Sequence, residues 1–340
     1  MNELFKIKLR QEHSLKISGN NLNEKHIPLL KEKHYYIIPS YSLTGDAPKA
    51  LIGAYLYSEK NNFYKKNYKS WTKYIAKTAE KWYPNESVTE FVINKLGEEL
   101  GVNMNNSCIV KCNNQIRFLS EFFLNPETEL LYHGAEICGD YLNDRDFASE
   151  IANNKKDARE LFTFEFICDA LNNRFKSHSL YLKEELVKML AFDCVIGNND
   201  RHFYNWGVIT NLKKTIKNPI FAPVYDSSRG LFWNLSDENI VNIYRHDKNN
   251  TGKHLQKYAK EAAPRMSCEE NKKANHFQLI GHIKTVNANY RRIINEISSM
   301  EMQDKVIKAF KEKYSSFFIP ERQYLIEKLI CHRFEQTRKA

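Results

Sequence analysis

The stretch Ile196-Gly197-Asn198-Asn199-Asp200-Arg201-His202-Phe203-Tyr204-Asn205-Trp206-Gly207 gathers polar side chains between two apolar runs. Before it, Leu182–Asp193 reads as a helix; at its end, Trp206–Thr210 reads as a short strand. A polar loop held between rigid elements points to chemistry more often than to packing. Asp200 and Asn205 stand five residues apart. The carboxylate can receive or orient a hydroxyl proton, and the amide oxygen can help hold a hard divalent cation such as Mg²⁺. Asn-Asp and Asp-Arg-His are also common turn formers and ion-pair partners, so the bare step decides nothing by itself. A second carboxylate at a later strand end adds weight. Asp226 supplies it, in Tyr225-Asp226-Ser227-Ser228 after the apolar run Ile220–Val224.

Protein kinases place a catalytic Asp and a metal-binding Asn at this same step, with a further metal-binding Asp downstream. Working upstream, Lys77 closes the β-prone run Thr72–Lys77, and Glu90 falls early in a helix read from about Ser87 to Leu100. Val88, Phe91, Val92, Leu96 and Leu100 recur there at helical spacing, and Gly101 is a natural stop. A strand lysine paired with a helix glutamate fixes an ammonium against ATP phosphates in kinases. The plainer alternative is a surface lysine in a chain with 51 Lys+Arg. Further upstream, Tyr41-Ser-Leu-Thr-Gly-Asp-Ala-Pro-Lys49 lies between two β-prone runs. Gly45, with small neighbours Thr44 and Ala47, would let backbone N–H groups approach a phosphate. Gly-Asp and Ala-Pro equally mark a hairpin turn.

Between residues 35 and 125 short β-prone runs dominate: Tyr35–Ile38, Ala50–Tyr57, Thr72–Ala76, Ser107–Lys111 and Gln115–Leu124. From about residue 145 the chain reads mostly helical, through Asp157–Leu171, Leu182–Asp193, His276–Met300 and Lys305–Tyr314. Residues 1–34 are polar and lysine-rich and read as an irregular or helical lead-in. The pattern predicts an α+β protein of two lobes: a β-rich N-lobe over 1–125 with one main helix, and a helical C-lobe over 126–340.

Composition sets bounds. With 42% hydrophobic residues, 20 Phe and 19 Tyr, the 340-residue chain is globular and not disordered. A net charge of +10 favours a polyanionic partner such as ATP, an acidic substrate, nucleic acid or a membrane surface, or reflects charges that are simply solvated. Seven cysteines without a CxxC pair read as packed, reduced thiols, and no Cys/His spacing suits zinc. The N-terminus lacks the apolar core of a secretory signal, and no apolar run approaches the roughly 18 residues of a membrane span.

Together these motifs resemble those of the HipA-like family of serine/threonine kinases. The resemblance rests on Ser42-Leu-Thr-Gly-Asp-Ala-Pro-Lys49, Ile75-Ala-Lys77, Glu90, Gly197–Asn205 and Ala222-Pro-Val-Tyr-Asp226, in the family's order over residues 42 to 226. It implies a two-lobed protein-kinase-like fold that uses ATP and Mg²⁺ to phosphorylate serine or threonine of a protein substrate. It assigns a phosphate-binding loop to Thr44, Gly45, Asp46, Ala47, Pro48 and Lys49, and the ATP-contacting pair to Lys77 and Glu90. It also assigns an adenine hinge to Ser120-Glu121-Phe122-Phe123. Asp200 becomes the proton acceptor, His202, Asn205 and Tyr225 nucleotide contacts, and Asn205 and Asp226 the metal ligands. Ser42 stands where the family's toxin carries its autophosphorylated serine.

The sequence departs from the family pattern in two ways. The toxin that names the family carries a small extra domain ahead of its phosphate loop, whereas here that loop begins near residue 42. The expectation is a short form, either a toxin whose missing piece is a separate protein or a stand-alone effector kinase. Such a kinase works in the cytoplasm or in the cytosol of a host cell, with an antitoxin or inhibitor as partner and nucleic acid involved only indirectly. Asp226 is followed by Ser-Ser in place of the Phe-Gly of eukaryotic kinases. Two other readings stay open: the same fold acting on a lipid or small-molecule hydroxyl, and a basic, nucleic-acid-binding toxin–antitoxin module. The Lys/Arg-rich tail after Lys305 favours the latter, but its charges alternate with Glu and apolar residues, as on an amphipathic helix.

Overall fold

A computed structural model describes residues 22–39, 49–56, 66–79, 82–113, 115–212, 218–248 and 252–340. The β-prone runs of the first part form one antiparallel sheet in the order β1-β2-β3-β5-β4: β1 Tyr35–Ile37, β2 Lys49–Ala54, β3 Thr72–Lys77, β4 Ser107–Cys112 and β5 Gln115–Glu121. It carries a small apolar cluster of its own that includes Ile52, Tyr74, Ala76, Val110 and Leu119. Register matters for the site. Lys49, at the start of β2, pairs across from Lys77 at the end of β3, and Lys77 in turn faces Phe118 on β5.

The main helix α1 (Asn85–Glu99) buries Val88, Val92, Ile93 and Leu96 in the large core of the helical half, not in the sheet's own cluster. Phe91 meets Tyr314 and Phe317 edge-on at about 6 Å. Lys313 donates to the Glu99 carboxylate at 2.7 Å. On its other side Asn94 donates to the Asn105 carbonyl and accepts from the Ser107 hydroxyl, tying the helix to β4. Glu90 is therefore held by both halves of the molecule.

The second half contains α2 Gly134–Leu142, α3 Arg145–Asn153, α4 Lys155–Leu161, α5 Phe164–Phe175 and α6 Ser179–Ile196. It continues with α7 Asp237–Lys248, α8 Lys253–Glu261, α9 His276–Val286, α10 Ala288–Ile297, α11 Met300–Ala309 and α12 Pro320–Lys339. A small sheet, β6 Glu129–His133, β7 Gly207–Asn211 and β8 Ile220–Phe221, lies beside them. The expected boundary at 125/126 falls in the segment between β5 and β6. Helix α6 is buried on nearly every face, as a helix at the centre of a core must be. It ends at Gly197, whose φ of +76° belongs to the left-handed region that a side chain resists. There the polar loop begins.

Two helices read as continuous are in fact broken. The run Asp157–Leu171 divides at Thr163, whose hydroxyl accepts from the Phe166 amide and starts α5. His276–Met300 divides at Asn287, which caps α10 by accepting from the Tyr290 amide. In both places a polar cap inside an apolar-periodic run offers the backbone an alternative to another helical turn. The run Lys305–Tyr314 belongs to α11, which starts earlier, at Met300, and continues into a wider π turn over Phe310–Tyr314. Strand β6, which no sequence signal marked, is only partly buried.

Candidate active site

The lysine at the end of β3 sits between two carboxylates. Lys77 Nζ lies 2.9 Å from Glu90 Oε1 on α1 and 2.9 Å from Asp226 Oδ1 on the segment after β8. Lys77 and Asp226, separated by 149 positions in sequence, are thus joined directly. Burial opposes the charge on Lys77, but Asp226 and Glu90 together hold its pKa above the usual lysine range. The two acids fare differently. Burial pushes the Glu90 carboxyl up to about 7 against the pull of Lys77. Asp226 is also penalised by burial, but Lys77 outweighs this and holds it down at about 2. The difference follows the neighbouring charges: Lys49 and His202 add to the pull of Lys77 on Asp226, whereas Asp226 and Glu86 work against Lys77 at Glu90.

Asp226 has a φ of +55°, a conformation costing a non-glycine residue roughly 1–2 kcal/mol, although Asp is among the better-tolerated residues there. Its neighbours are clamped. Arg201 donates from Nη1 to the Tyr225 carbonyl at 2.5 Å and from Nη2 to the Ser227 hydroxyl at 2.6 Å. The same guanidinium grips Asp193 of α6 through two bonds of 2.8 and 2.9 Å and the Asn205 carbonyl at 3.0 Å. Arg201 and Asp193 are almost fully buried, at 2% and 1% exposure. One charged fork therefore ties the central helix, the polar loop and the Asp226 segment together. A planar guanidinium with five donors suits that task, which a lysine could not perform.

Asp200 and Asn205 meet as their spacing suggested. The Asn205 amide nitrogen donates to the Asp200 carbonyl at 3.0 Å, which leaves its amide oxygen for another partner. The Asp200 carboxylate is engaged at both oxygens. Arg265 donates to Oδ1 from Nε at 3.1 Å and from Nη2 at 2.6 Å, and Arg229 Nη1 lies 2.9 Å from Oδ2. Burial lowers the His202 pKa, and the neutral ring accepts the Tyr204 amide at Nδ1.

At the expected hinge, the Glu121 amide and carbonyl are committed to Asn106 and Asn105, and the Phe122 amide to the Lys73 carbonyl. No described residue bonds the Phe123 amide, and the Phe123 ring packs on Tyr225 at 5.7 Å. Burial raises the pKa of the Tyr225 hydroxyl, which donates to the Tyr204 carbonyl at 3.0 Å. Ser42, Thr44, Gly45, Asp46, Ala47 and Pro48 lie outside the described residues; Lys49 lies within them, beside Lys77. Sequence reasoning missed Arg201, Asp193, Arg229 and Arg265. Arg201 adjoins Asp200 and could have been flagged, but Arg265 stands 65 residues away and carries no local signal.

Among the described residues no cluster of three or more His, Cys, Asp or Glu side chains forms a ready-made metal cage. Mg²⁺ at phosphoryl-transfer sites needs none, because it takes one or two protein ligands and completes its shell with phosphate oxygens and water. The Asp226 carboxylate and the Asn205 amide oxygen, on segments both held by Arg201, suit that requirement.

A sheet with a lysine–glutamate pair, a helical half and a polar loop at the end of a buried helix define a protein-kinase-like two-lobed fold. The HipA-like C-terminal domain matches residues 41–303, and the chain belongs to the HipA-like family. Among solved structures, the Helicobacter pylori proinflammatory kinase CtkA is similar with a TM-score of 0.68 and 15% identity, covering 92% of this chain and 97% of CtkA. HipA from the Shewanella oneidensis MR-1 toxin–antitoxin complex with HipB and operator DNA aligns at a TM-score of 0.49 and 13% identity, covering 98% of this chain and 71% of that one. No curated protein matches the sequence significantly. No helix among the described residues is long and apolar enough to cross a membrane.

Proposed function

We propose that the protein is an ATP- and Mg²⁺-dependent serine/threonine protein kinase of toxin or effector type, working in a cytosol. The observation that carries this reading is the Lys77 ammonium shared between Glu90 and Asp226, with Arg201 tying the Asp226 segment to the Asp200–Asn205 loop so that both would line one substrate cleft. Membership of the HipA-like family supports it, and seven free thiols suit a reducing compartment.

Each residue then has a task. Glu90 holds Lys77 extended, so the ammonium meets the nucleotide phosphates already aimed and loses little freedom on binding. Asp226 and the Asn205 oxygen would hold the divalent cation, which when bound neutralises phosphate charge. Phe123 and Tyr225 would form the wall against which the adenine packs, with the Phe123 amide as hinge donor. Asp200 orients the acceptor hydroxyl. As the new O–P bond forms and the bond from the γ-phosphorus to the β–γ bridging oxygen breaks, the hydroxyl proton passes to the carboxylate. Catalysis of this kind rests on positioning and charge neutralisation, with no covalent enzyme intermediate.

Incubation with labelled Mg-ATP and protein, phosphoinositide and sugar acceptors tests the reading, with intact-mass analysis of the enzyme itself. Transfer to serine or threonine of protein is expected, together with one added phosphate on the enzyme mapped to Ser42. A phosphoserine there would bring about −1.5 to −2 charges into the expected phosphate loop and compete with ATP for its amides. Label appearing only on lipid or sugar would keep the fold and overturn the substrate class. An unmodified Ser42 peptide from active enzyme would remove the autophosphorylation step alone.

A further inference from the structure

We propose that Arg229 and Arg265 form an anion-binding site on the acceptor side of the cleft, selecting serines or threonines in acidic peptide segments. The proposal rests on the kinase reading above and names its substrate class. It begins with an imbalance. One carboxylate, Asp200, faces two guanidiniums, Arg265 at 2.6 Å and Arg229 at 2.9 Å, where a single arginine would neutralise it. Among the described residues no other carboxylate lies in ion-pair contact with either arginine. Lys155, at the start of α4, adds a further positive charge. Partial burial of its ammonium and repulsion from Arg265 and Arg159 hold its pKa below the usual lysine range.

Both arginines are held in place by other groups. Arg229 lies over the Trp233 ring at 5.2 Å. Arg265 rides on the segment between α8 and α9, which the buried Arg159 pins by donating to the carbonyls of Pro264, Lys272 and Ala274. A cation whose guanidinium is stacked, as in Arg229, or whose backbone is pinned, as in Arg265, is better prepared for a partner than a solvated lysine. The side chains of Arg229 and Arg265 remain 25% and 20% exposed, more than the 13% of Asp200 between them. Arg265 spends Nε and Nη2 on Asp200 and Arg229 spends Nη1, so each fork keeps donors for a second acceptor.

The chemistry of the acceptor follows. A carboxylate offers about four lone-pair sites, and three donors already occupy the Asp200 oxygens. An incoming hydroxyl must take the remaining site on Oδ2 or displace a guanidinium. A carboxylate or phosphate flanking the hydroxyl would receive the displaced fork in a bidentate, charge-assisted pair and make the exchange favourable. A neutral or basic flank offers the arginines nothing in return.

The test uses peptides with one serine flanked by Glu, phosphoserine, Ala or Lys. Binding is measured by fluorescence anisotropy without nucleotide, and transfer with labelled Mg-ATP. The Glu- or phosphoserine-flanked peptide should bind about ten-fold more tightly than the Ala peptide, and the Lys peptide more weakly still. The same order should appear in kcat/KM, carried by KM. Arg265→Ala and Arg229→Ala should each erode the preference, and Arg265→Glu should turn it towards the Lys peptide. Should a variant fail to fold, the preference of the parent protein decides alone. Equal binding and transfer across all four flanks would overturn the anion site and leave the kinase reading intact. Charge-selective binding without transfer to any acceptor would do the reverse. A gain in transfer on every peptide with Arg265→Ala would mark the arginines as an inhibitory lock, and would also overturn the proposal.

Discussion

The two ends of the proposed active site carry opposite charge surpluses. On the proposed nucleotide side one ammonium, Lys77, bonds two carboxylates, with Glu86 hydrogen-bonded nearby to Ser228. Lys49 and Arg229 act through their charge on Asp226 and Glu86 respectively. On the acceptor side one carboxylate, Asp200, serves two guanidiniums. An excess of acid beside a polar cleft calls for a cation, and an excess of base calls for an anion. On the reading proposed above, the Lys77 end suits a divalent metal with its phosphates, and the Asp200 end suits an acidic chain. A structure whose ion pairs served stability alone would pair each charge once, since leaving buried charges unequally matched is costly.

The sharpest way to break the comparison is at Asp200. Asp200→Asn keeps the shape, removes the proton acceptor and releases both arginines from their ion pairs. Turnover should fall about 10²–10⁴-fold, while Mg-ATP affinity measured by calorimetry stays within a few-fold of the parent. If the two ends are separate in function, only turnover moves. A comparable loss of ATP affinity would show that the acceptor end also holds the nucleotide.

The reciprocal change is Lys77→Met, which keeps the stem and removes the charge. It leaves Glu90 and Asp226 facing each other without their shared cation. A fall of about 10²–10³-fold in kcat/KM is expected, with a weaker Kd for Mg-ATP as its larger part. Turnover that drops with nucleotide binding unchanged would move Lys77 out of the phosphate site.

The two ends also differ in how far the sequence disclosed them. Lys77, Glu90, Asp226 and Asn205 were legible because each stands at a fixed place in a local element: a strand end, the early turns of a helix, a loop step. Asp200 was legible for the same reason. Its partners were not. Arg265 arrives through the packing of the segment between α8 and α9 against the polar loop, held by Arg159 from α4, and no short-range pattern encodes such a meeting. The fold shows the same contrast. The strands of the five-stranded sheet followed from short β-prone runs, whereas the breaks at Thr163 and Asn287 came from single polar caps that override an apolar periodicity running through them. The hinge was the loosest reading, since its assignment depends on which backbone amides other residues already use.

Between the two ends stands Arg201, the tie that fixes their separation. Arg201→Met fills the same space without the fork and leaves Asp193 buried and unpaired. The cost should be about 3–5 kcal/mol, seen as a fall in Tm on the order of 10 °C. Activity should fall further than the loss of folded protein explains, because Asn205, Tyr225 and Ser227 lose a common anchor. A stable variant with parental turnover would show that the loop and the Asp226 segment hold themselves.

The smallest effect expected concerns the surplus of acid itself. The Glu90 carboxyl is pushed up to about 7 by burial, whereas in the unfolded chain it titrates near its ordinary value of 4.5. Between those two values the folded protein holds a proton that the unfolded chain has released. Unfolding free energy must therefore fall as pH rises through this window. The loss is on the order of 1–3 kcal/mol, complete once pH exceeds the folded value. Glu90→Gln cannot titrate, so its melting temperature should decline less than that of the parent between pH 5 and pH 8. Adding Mg²⁺ with a non-hydrolysable nucleotide should flatten the parent's slope, because a bound cation removes the surplus negative charge that disfavours ionised Glu90. Parallel curves for parent and variant would mean that Lys77 already satisfies both acids. The nucleotide end would then hold no unmet demand for a cation, and the charge contrast between the two ends would fail on this side.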